Sequence, residues 1–106
     1  MIVVTSETIA NKRIVKTLGL VRGNTVRARH IGKDIMAGLR NIVGGEVHEY
    51  AKLIAESREQ TIDRMIQEAA ELGANAIVAT RFTTSVMMGG AAELLAVGTA
   101  VIVEDQ

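Results

Sequence analysis

Cysteine and proline are absent from the 106 residues of this sequence, and Tyr50 and Phe82 are its only aromatic residues. Without cysteine, the chain can form no disulfide, no thiolate nucleophile and no zinc site of the cysteine type. Two aromatic side chains are too few for a platform on which nucleic-acid bases stack. Several common classes of catalytic and binding site are therefore excluded at the outset.

No charge of one sign predominates, since 12 basic residues balance 12 acidic ones and the pI is near 6.7. With no basic surplus to neutralise phosphates, we expect no nucleic-acid partner. The longest apolar run, residues 94–103, is too short to span a bilayer, and the first residues lack the pattern of a signal peptide. We therefore expect a cytoplasmic protein without a membrane partner. Its 48% hydrophobic content predicts a single domain over residues 1–106 with a core of its own.

A long amphipathic helix is predicted over residues 47–72, where apolar or small residues recur every three or four positions. Gly73 follows it, and glycine accepts the left-handed backbone at which helices often end. Ser57 and Arg58 interrupt the apolar stripe near its middle. The helix would be about 39 Å long, as long as a compact domain whose radius of gyration is about 13 Å. Because one small sheet can hardly cover such a stripe, we expect a homo-oligomer; the alternative is a helix with a projecting end.

Strands are predicted on both sides of the helical region. Residues 2–4 form a β-branched run, and residues 13–21 alternate in the manner of a half-buried strand. Within the second segment, Gly19 suggests a bulge or a close backbone approach. The pair Gly23-Asn24 marks a bend or turn, after which a strand could continue.

The remaining segments complete the predicted fold. A short helix is expected over about residues 31–43, and strands over residues 75–88 and 94–103, with a hairpin turn at Gly89-Gly90. In the first of these strands, the alternation groups Ile77 with Arg81 on one face and Phe82 on the other. The resulting order is ββααββ, an α+β domain in which a short and a long helix pack on a mainly antiparallel sheet.

Several stretches resemble the YbjQ-like family of small bacterial and archaeal proteins. They are DIMAGLRNIVGG at residues 34–45, Tyr50, AAELGANA at residues 69–76, Arg81 and the closing GTAVIV. The family carries a heavy-metal-binding label and has no established function. The resemblance implies a dodecin-subunit-like fold that assembles as a homopentameric ring around a central axis. Family members often have an acidic residue shortly after the strand arginine; Phe82 and two threonines stand there instead, so a ligand or ion pair supplied from that position is missing or replaced.

A metal site needs His, Asp or Glu side chains that converge on one point. His48 and Glu49 are candidates, but adjacent helical residues point about 100° apart and do not easily share an ion within one chain. A symmetric ring with one such side chain per subunit could still hold a divalent or heavy metal ion. The alternative is that these are solvated surface residues.

The pair Gly44-Gly45 followed by Glu46 resembles an anion-binding nest at the start of the long helix, with free N–H groups and a positive dipole end. Arg40 lies one turn earlier and could add positive charge. In the alternative interpretation, Glu46 caps those amides and the glycines only form the turn between two helices.

Arg81 and Asp34 are the polar residues predicted to be partly buried, because both stand among apolar neighbours. A buried arginine needs a carboxylate or carbonyl partner, so we expect Arg81 to pair with Asp34 or Glu46, within or between subunits. A charged pocket between subunits is the functional alternative. Glu59 and Asp63, four residues apart on one helix face, could hold a cation or form an acid–base pair. The favoured alternative is an ordinary charged surface, because the whole face is polar and carries arginines nearby.

The sequence predicts no enzyme, since nothing in it makes a nucleophile, a base and an orienting acid converge. We predict a homo-oligomer, a pentamer by the resemblance, that binds a small ligand or a metal ion at subunit interfaces or along the central axis. One alternative is an enzyme with an interfacial site built from Arg40, Arg81, Asp34 and Glu46. The other is a purely structural ring. The candidate ligand-binding residues are Arg40, Gly44, Gly45, Glu46, Arg81 and Asp34; the candidate metal-binding residues are His48 and Glu49.

Overall fold

The structure, a computed structural model, describes residues 1–27, 45–86 and 92–106, except for the side chains of residues 27, 45–51, 53 and 86. The predicted short helix at residues 31–43 and the predicted turn at Gly89-Gly90 lie outside the described residues.

The described residues form one helix and four strands, which confirms the predicted α+β class. They are β1 (Ile2–Val3), β2 (Lys12–Arg27), α1 (Gly45–Glu71), β3 (Ala76–Val86) and β4 (Ala92–Asp105). The strands form one sheet in the order β1-β3-β4-β2. β4 pairs antiparallel with both β2 and β3, whereas β1 pairs parallel with β3, so the sheet is mixed.

The two faces of the sheet carry separate cores. On the helix face, the side that α1 covers, Val21 and Ile77 pack with Met65 and Ala69 of the helix, and all four are fully buried. On the rear face, the opposite side, a second cluster is packed against Val4 and Ile9 of the N-terminal segment, and it consists of Ala76, Val78, Val101 and Val103. The N-terminal segment therefore covers one end of the sheet that α1 cannot reach.

β2 confirms one prediction about glycine and overturns another. Gly19 has a φ of 127°, and the pairing register with β4 shifts between Thr17 and Gly19, so the predicted bulge is present. The predicted bend or turn at Gly23-Asn24 is wrong, because β2 runs unbroken through both residues. Gly23 instead serves packing: a Cβ at this position would overlap the backbone carbonyl of Thr61 and the backbone nitrogen of Met65.

Buried hydroxyl groups mark the place where α1 crosses β2. Ser57, which appeared to interrupt the apolar stripe, is fully buried beside Thr61 and Thr25. The Oγ1 atoms of Thr25 and Thr61 lie 2.9 Å apart, and Thr61 also donates to the carbonyl of Ser57 at 2.8 Å. Hydroxyl groups can be buried in this interface because these hydrogen bonds replace the hydrogen bonds to water that burial removes. Arg58, by contrast, is exposed.

The end of α1 follows the predicted glycine stop. Gly73 has a φ of 87°, its N–H donates to Ala70, and the N–H of Ala74 donates to Ala69. Asn75 then leads into β3: its side-chain amide donates to the carbonyl of Val103 at 2.9 Å and accepts from the N–H of Val103 at 2.8 Å. The Asn75 side chain thus makes the two hydrogen bonds to Val103 that the backbone of a paired strand residue would make.

Salt bridges fasten the ends of β2 and β4. Lys12 pairs with Asp105 and Arg13 with Glu104, directly across the two strands. The hydrogen bond from Lys12, and then its positive charge, lower the pKa of Asp105 below its ordinary value. No helix among the described residues has both the length and the apolar composition needed to cross a membrane.

We predict that Gly23→Ala destabilises the fold by about 3 kcal/mol, because the added methyl group meets helix backbone, which cannot rotate away. Equilibrium unfolding in urea at one fixed protein concentration measures the change. Lys16→Ala is the matched control: Lys16 is exposed on the same strand, and its loss should change stability by less than about 0.5 kcal/mol. Equal stabilities for the two variants would contradict the close approach of α1 to β2.

We also predict that Lys12→Ala raises the pKa of Asp105 towards its ordinary value. A lowered pKa in the folded state stabilises the fold above the unfolded-state pKa, and this contribution is lost as the pH falls through the folded-state pKa. Carboxyl-carbon NMR titration of Asp105 measures the shift directly. Lys16→Ala, on the same strand, should leave the titration of Asp105 unchanged.

Candidate functional site

A bulge in β3 determines which side chains reach the helix face beyond the core. The register of β3 against β4 shifts between Val78 and Arg81, and Ala79 has a φ of 55°, which is uncommon for a residue other than glycine. Residues 79 and 80 both donate backbone N–H groups to the N-terminal segment, to Ser6 and Val4. One extra residue in a strand exchanges the two faces for every residue that follows.

The exchange corrects the predicted grouping of side chains in β3. Phe82 pairs with Ala96 and so lies on the helix face with Ile77, whereas Arg81 pairs with Val97 and lies on the rear face. Simple alternation had grouped Arg81 with Ile77, and it failed because the sequence contains no glycine or proline to indicate the bulge.

Arg81 is exposed, so the prediction that it is partly buried is wrong. Its Nη1 donates to the backbone carbonyls of Thr5, at 2.7 Å, and Thr80, at 2.8 Å. The predicted carbonyl partner is therefore present, and Arg81 fastens the N-terminal segment to β3. No described carboxylate lies within ion-pair distance of Arg81. Asp34 and the side chain of Glu46 are outside the described residues, so those pairings stay predictions.

A groove of about 640 Å³ opens on the helix face between α1 and β3. It exists because α1 packs mainly on β2, less on β4 and least on β3, which leaves the outer part of β3 uncovered. The apolar part of its lining is formed by Ala55 and Ile62 of α1 and by Phe82 of β3, a residue that is 51% exposed. Thr84 contributes a hydroxyl beside Phe82.

Charged side chains of both signs complete the lining of the groove. Lys52 and Arg58 supply positive charge, and Glu56 and Glu59 supply negative charge, all from α1. The groove therefore combines an apolar surface with groups that can bind a cationic or an anionic end of a ligand. Asp63, predicted to act together with Glu59, does not line it.

Few of the other predicted site residues belong to the described part of the chain. Asp34, Arg40 and Gly44 lie outside the described residues. Gly45 is the first residue of α1, and Glu46, His48 and Glu49 follow in its first turns, with side chains outside the description. The backbone position of Gly45 fits the predicted nest, since the first N–H groups of a helix have no partner within it. Anion binding there stays a prediction.

The described residues do not fit a metal centre. No group of three or more His, Asp or Glu side chains comes together among them. Glu56 and Glu59 line the groove together, but two carboxylates beside Lys52 and Arg58 are a poor donor set for a soft metal ion, which prefers sulfur and imidazole. Neither methionine of the described residues lines the groove: Met65 is fully buried in the core, and Met1 is the first residue of the chain.

Comparison with known proteins identifies the family. A family model described as "Putative heavy-metal-binding" matches residues 1–104. The chain belongs to this YbjQ family. A UPF0145 protein of Methanosarcina acetivorans is 57% identical over 95% of each chain, and one of Dehalococcoides mccartyi is 58% identical over 98% of this chain and 100% of the other.

The fold of the YbjQ family chain is also found in a crystal structure. A protein of unknown function of the DUF74 family from Pediococcus pentosaceus matches with a TM-score of 0.65, over 98% of both chains and at 13% identity. At that identity the likeness concerns the fold. The names of these relatives assign no ligand, so the groove must be judged by its own chemistry.

One feature of the sequence, the position of Phe82, could have indicated the groove. Phe82 stands alone among polar residues, in the stretch TRFTTS, where an apolar core strand would carry further large side chains. A single exposed aromatic residue is common on protein surfaces, and Phe82 becomes significant only because Ala55 and Ile62 of α1 lie beside it.

Thr80 yields a prediction about the bulge. Its side chain is 2% exposed, and its Oγ1 is the one fully buried side-chain polar atom without a hydrogen-bond partner among the described residues. We expect Thr80→Val to stabilise the protein by about 1 kcal/mol, since a methyl group of the same shape removes the cost of an unpaired hydroxyl. Thermal unfolding measures the change. Thr83→Val, exposed on the same strand, is the control, and a destabilised Thr80→Val would show that the hydroxyl has a partner.

Proposed function

We propose that this protein is a homo-oligomeric binding protein that holds a small amphipathic molecule in the groove between α1 and β3. The groove is the observation that carries the proposal. Its volume of about 640 Å³ is within the usual range of small-molecule sites, about 300–1,000 Å³, and its lining combines apolar side chains with a few charged groups. We propose binding without catalysis, in the cytoplasm.

The chemistry of the lining defines the class of ligand. Phe82 offers a ring face to an apolar or aromatic body, with Ile62 beside it. Lys52 and Arg58 can receive an anionic group, and Glu56 and Glu59 a cationic one. A molecule with an apolar body and one or two charged ends would use all of these groups.

Exposed apolar side chains favour an oligomer. Leu20 is 67% exposed and Val26 51% exposed, and both lie on the rear face of β2, beyond the part that the N-terminal segment covers. Leu95 and Val97, partly buried on the neighbouring strand, extend this apolar surface. A surface of this kind is typical of a protein–protein contact. The number five comes from the family resemblance alone.

The shape of the chain favours an oligomer as well. The Cα radius of gyration is 17.1 Å, against about 13 Å for a compact chain of this length. The 27 residues of α1 extend over about 40 Å. An elongated subunit buries less of its own surface, so packing against further copies would stabilise it.

The groove can be tested with 1-anilinonaphthalene-8-sulfonate, a fluorescent probe that has aromatic rings and one anionic group. We expect Phe82→Ala to weaken its binding at least about tenfold, because a buried aromatic ring contributes about 1.5–3 kcal/mol and 1.4 kcal/mol corresponds to a factor of ten. The readout is a fluorescence titration. Thr83→Ala, on the opposite face of the same strand, is the control and should bind as the wild type does.

Native mass spectrometry of the untagged protein, with elemental analysis of the same sample, tests the assembly and the natural ligand together. An oligomeric mass with an organic adduct that Phe82→Ala loses would support the proposal. A stoichiometric metal would instead support the family's metal-binding label. Equal probe binding by Phe82→Ala and Thr83→Ala would contradict the groove as the site, and an oligomer without adduct or probe binding would favour a structural ring.

A further inference from the structure

We propose that the groove between α1 and β3 selects aromatic monocarboxylates, and that Arg58 binds their carboxylate group. This inference deepens the proposed function and rests on it, since it takes the groove as the binding site. It adds the sign of the ligand's charge, the residue that recognises this charge, and the class of anion that the groove rejects.

Arg58 is a charged residue on the side of α1 that faces the sheet. It precedes Met65 by seven residues, so the two side chains project from the helix in directions only about 20° apart. Met65 is fully buried in the core, whereas Arg58 is exposed and lines the groove. The groove is therefore open at the level of Arg58, and a guanidinium group takes the place of an apolar core side chain there.

The guanidinium of Arg58 has no partner among the described residues. It takes part in no salt bridge, donates no hydrogen bond to them and makes no contact with the ring of Phe82. By contrast, Arg13, Arg64 and Arg81 each bind an acceptor within the chain. The planar fork of Arg58 is thus available to a ligand, and such a fork matches a carboxylate through two parallel hydrogen bonds.

Apolar side chains line the groove next to Arg58. Ala55 and Ile62 project from α1 at about 60° and 40° from the direction of the arginine, so they share its side of the helix. Phe82 of β3 lies across the groove from them, with Thr84 beside it. A flat ring fits between these aliphatic side chains and Phe82, because aromatic rings stack on one another with an offset. The favoured ligand therefore has a planar apolar body and directs its carboxylate to Arg58.

The other charged groups of the lining determine which anions are rejected. Lys52, Glu56 and Glu59 project from α1 at about 100–160° from the direction of Arg58, so they lie nearer the mouth of the groove. Two carboxylates and one ammonium group give this rim a net negative charge. A second anionic group on a ligand would lie among these carboxylates, and like charges repel. The groove therefore accepts one anionic group at its inner side and disfavours dianions such as phosphate monoesters.

Three naphthalene compounds with an anionic, a neutral and a cationic substituent test this selectivity: 1-naphthoate, 1-naphthalenemethanol and 1-naphthylmethylammonium. The chain has no tryptophan, so the fluorescence anisotropy of the naphthalene ring can be followed with little protein background. We expect the wild type to bind 1-naphthoate at least about tenfold more tightly than either of the others. Hydrogen bonds between charged groups contribute at least the roughly 1.4 kcal/mol that corresponds to this factor. 1-Naphthyl phosphate, a dianion at about pH 8, should also bind more weakly than 1-naphthoate.

Replacement of the arginine tests its role. Arg58→Gln should weaken the binding of 1-naphthoate at least about tenfold and change that of 1-naphthalenemethanol by less than about twofold. Arg58→Lys, which keeps the charge and loses the planar fork, should bind 1-naphthoate with intermediate affinity. Arg64→Gln is the matched control, because it removes the same charge from the same helix, but Nη1 of Arg64 is bonded to the carbonyl of Asn24 on β2. It should bind all the compounds as the wild type does.

The outcomes separate this inference from the proposed function. Equal affinity of Arg58→Gln and Arg64→Gln for 1-naphthoate would overturn the role of Arg58. Tighter binding of the ammonium or phosphate compound than of 1-naphthoate would overturn the selectivity. In either case, weaker binding of all the compounds by Phe82→Ala would still support the groove as the site. Binding by Phe82→Ala equal to that of the wild type would instead place the site elsewhere and overturn both proposals.

Discussion

The direct contact of helix backbone on Gly23 is the constraint on which the rest of the structure depends. With no side chain at this position, α1 comes down onto β2, and the hydroxyls of Thr25 and Thr61 meet beside it. A helix held so closely over the edge strand β2 cannot also cover β3, which lies two strands away in the sheet. The groove above β3 is therefore a direct consequence of where the helix is fixed.

The bulge at Ala79 and Thr80 then decides the chemistry of that groove. Without the extra residue, Arg81 would lie on the helix face and Phe82 on the rear face. With it, the aromatic ring enters the groove, and the arginine is directed to the N-terminal segment, where it binds two carbonyls. The bulge contains a left-handed alanine and a buried unpaired hydroxyl, both of which cost stability. Such local costs persist where the surrounding pairing enforces them, and they often occur at functional sites.

The sequence predicted those features that local chemistry determines. The helix stop at Gly73 and the bulge at Gly19 followed from the backbone freedom of glycine, and the α+β class followed from periodicity. Gly23 was misinterpreted because a glycine required by a neighbouring element looks the same in sequence as a glycine required by a turn. The face of Arg81 was wrong for a related reason: the bulge at residues 79 and 80 depends on bonds to Ser6 and Val4, more than 70 residues away. The groove depends on the lateral position of α1 over the sheet, which no local pattern records.

The pairing of β2 with β4 also has a consequence for how the chain folds. Lys12 and its partner Asp105 are 93 residues apart, so the start of β2 cannot pair with the end of β4 until almost the whole chain has been synthesised. Of the strand pairs described, only β3 with β4 joins segments that follow each other closely in sequence. Contacts of such high separation slow folding, because the entropy of closing a long loop is lost before the contact forms. Until β4 is synthesised, β2 lacks the strand with which it pairs among the described residues. An unpaired strand of this length is open to aggregation and to binding by chaperones.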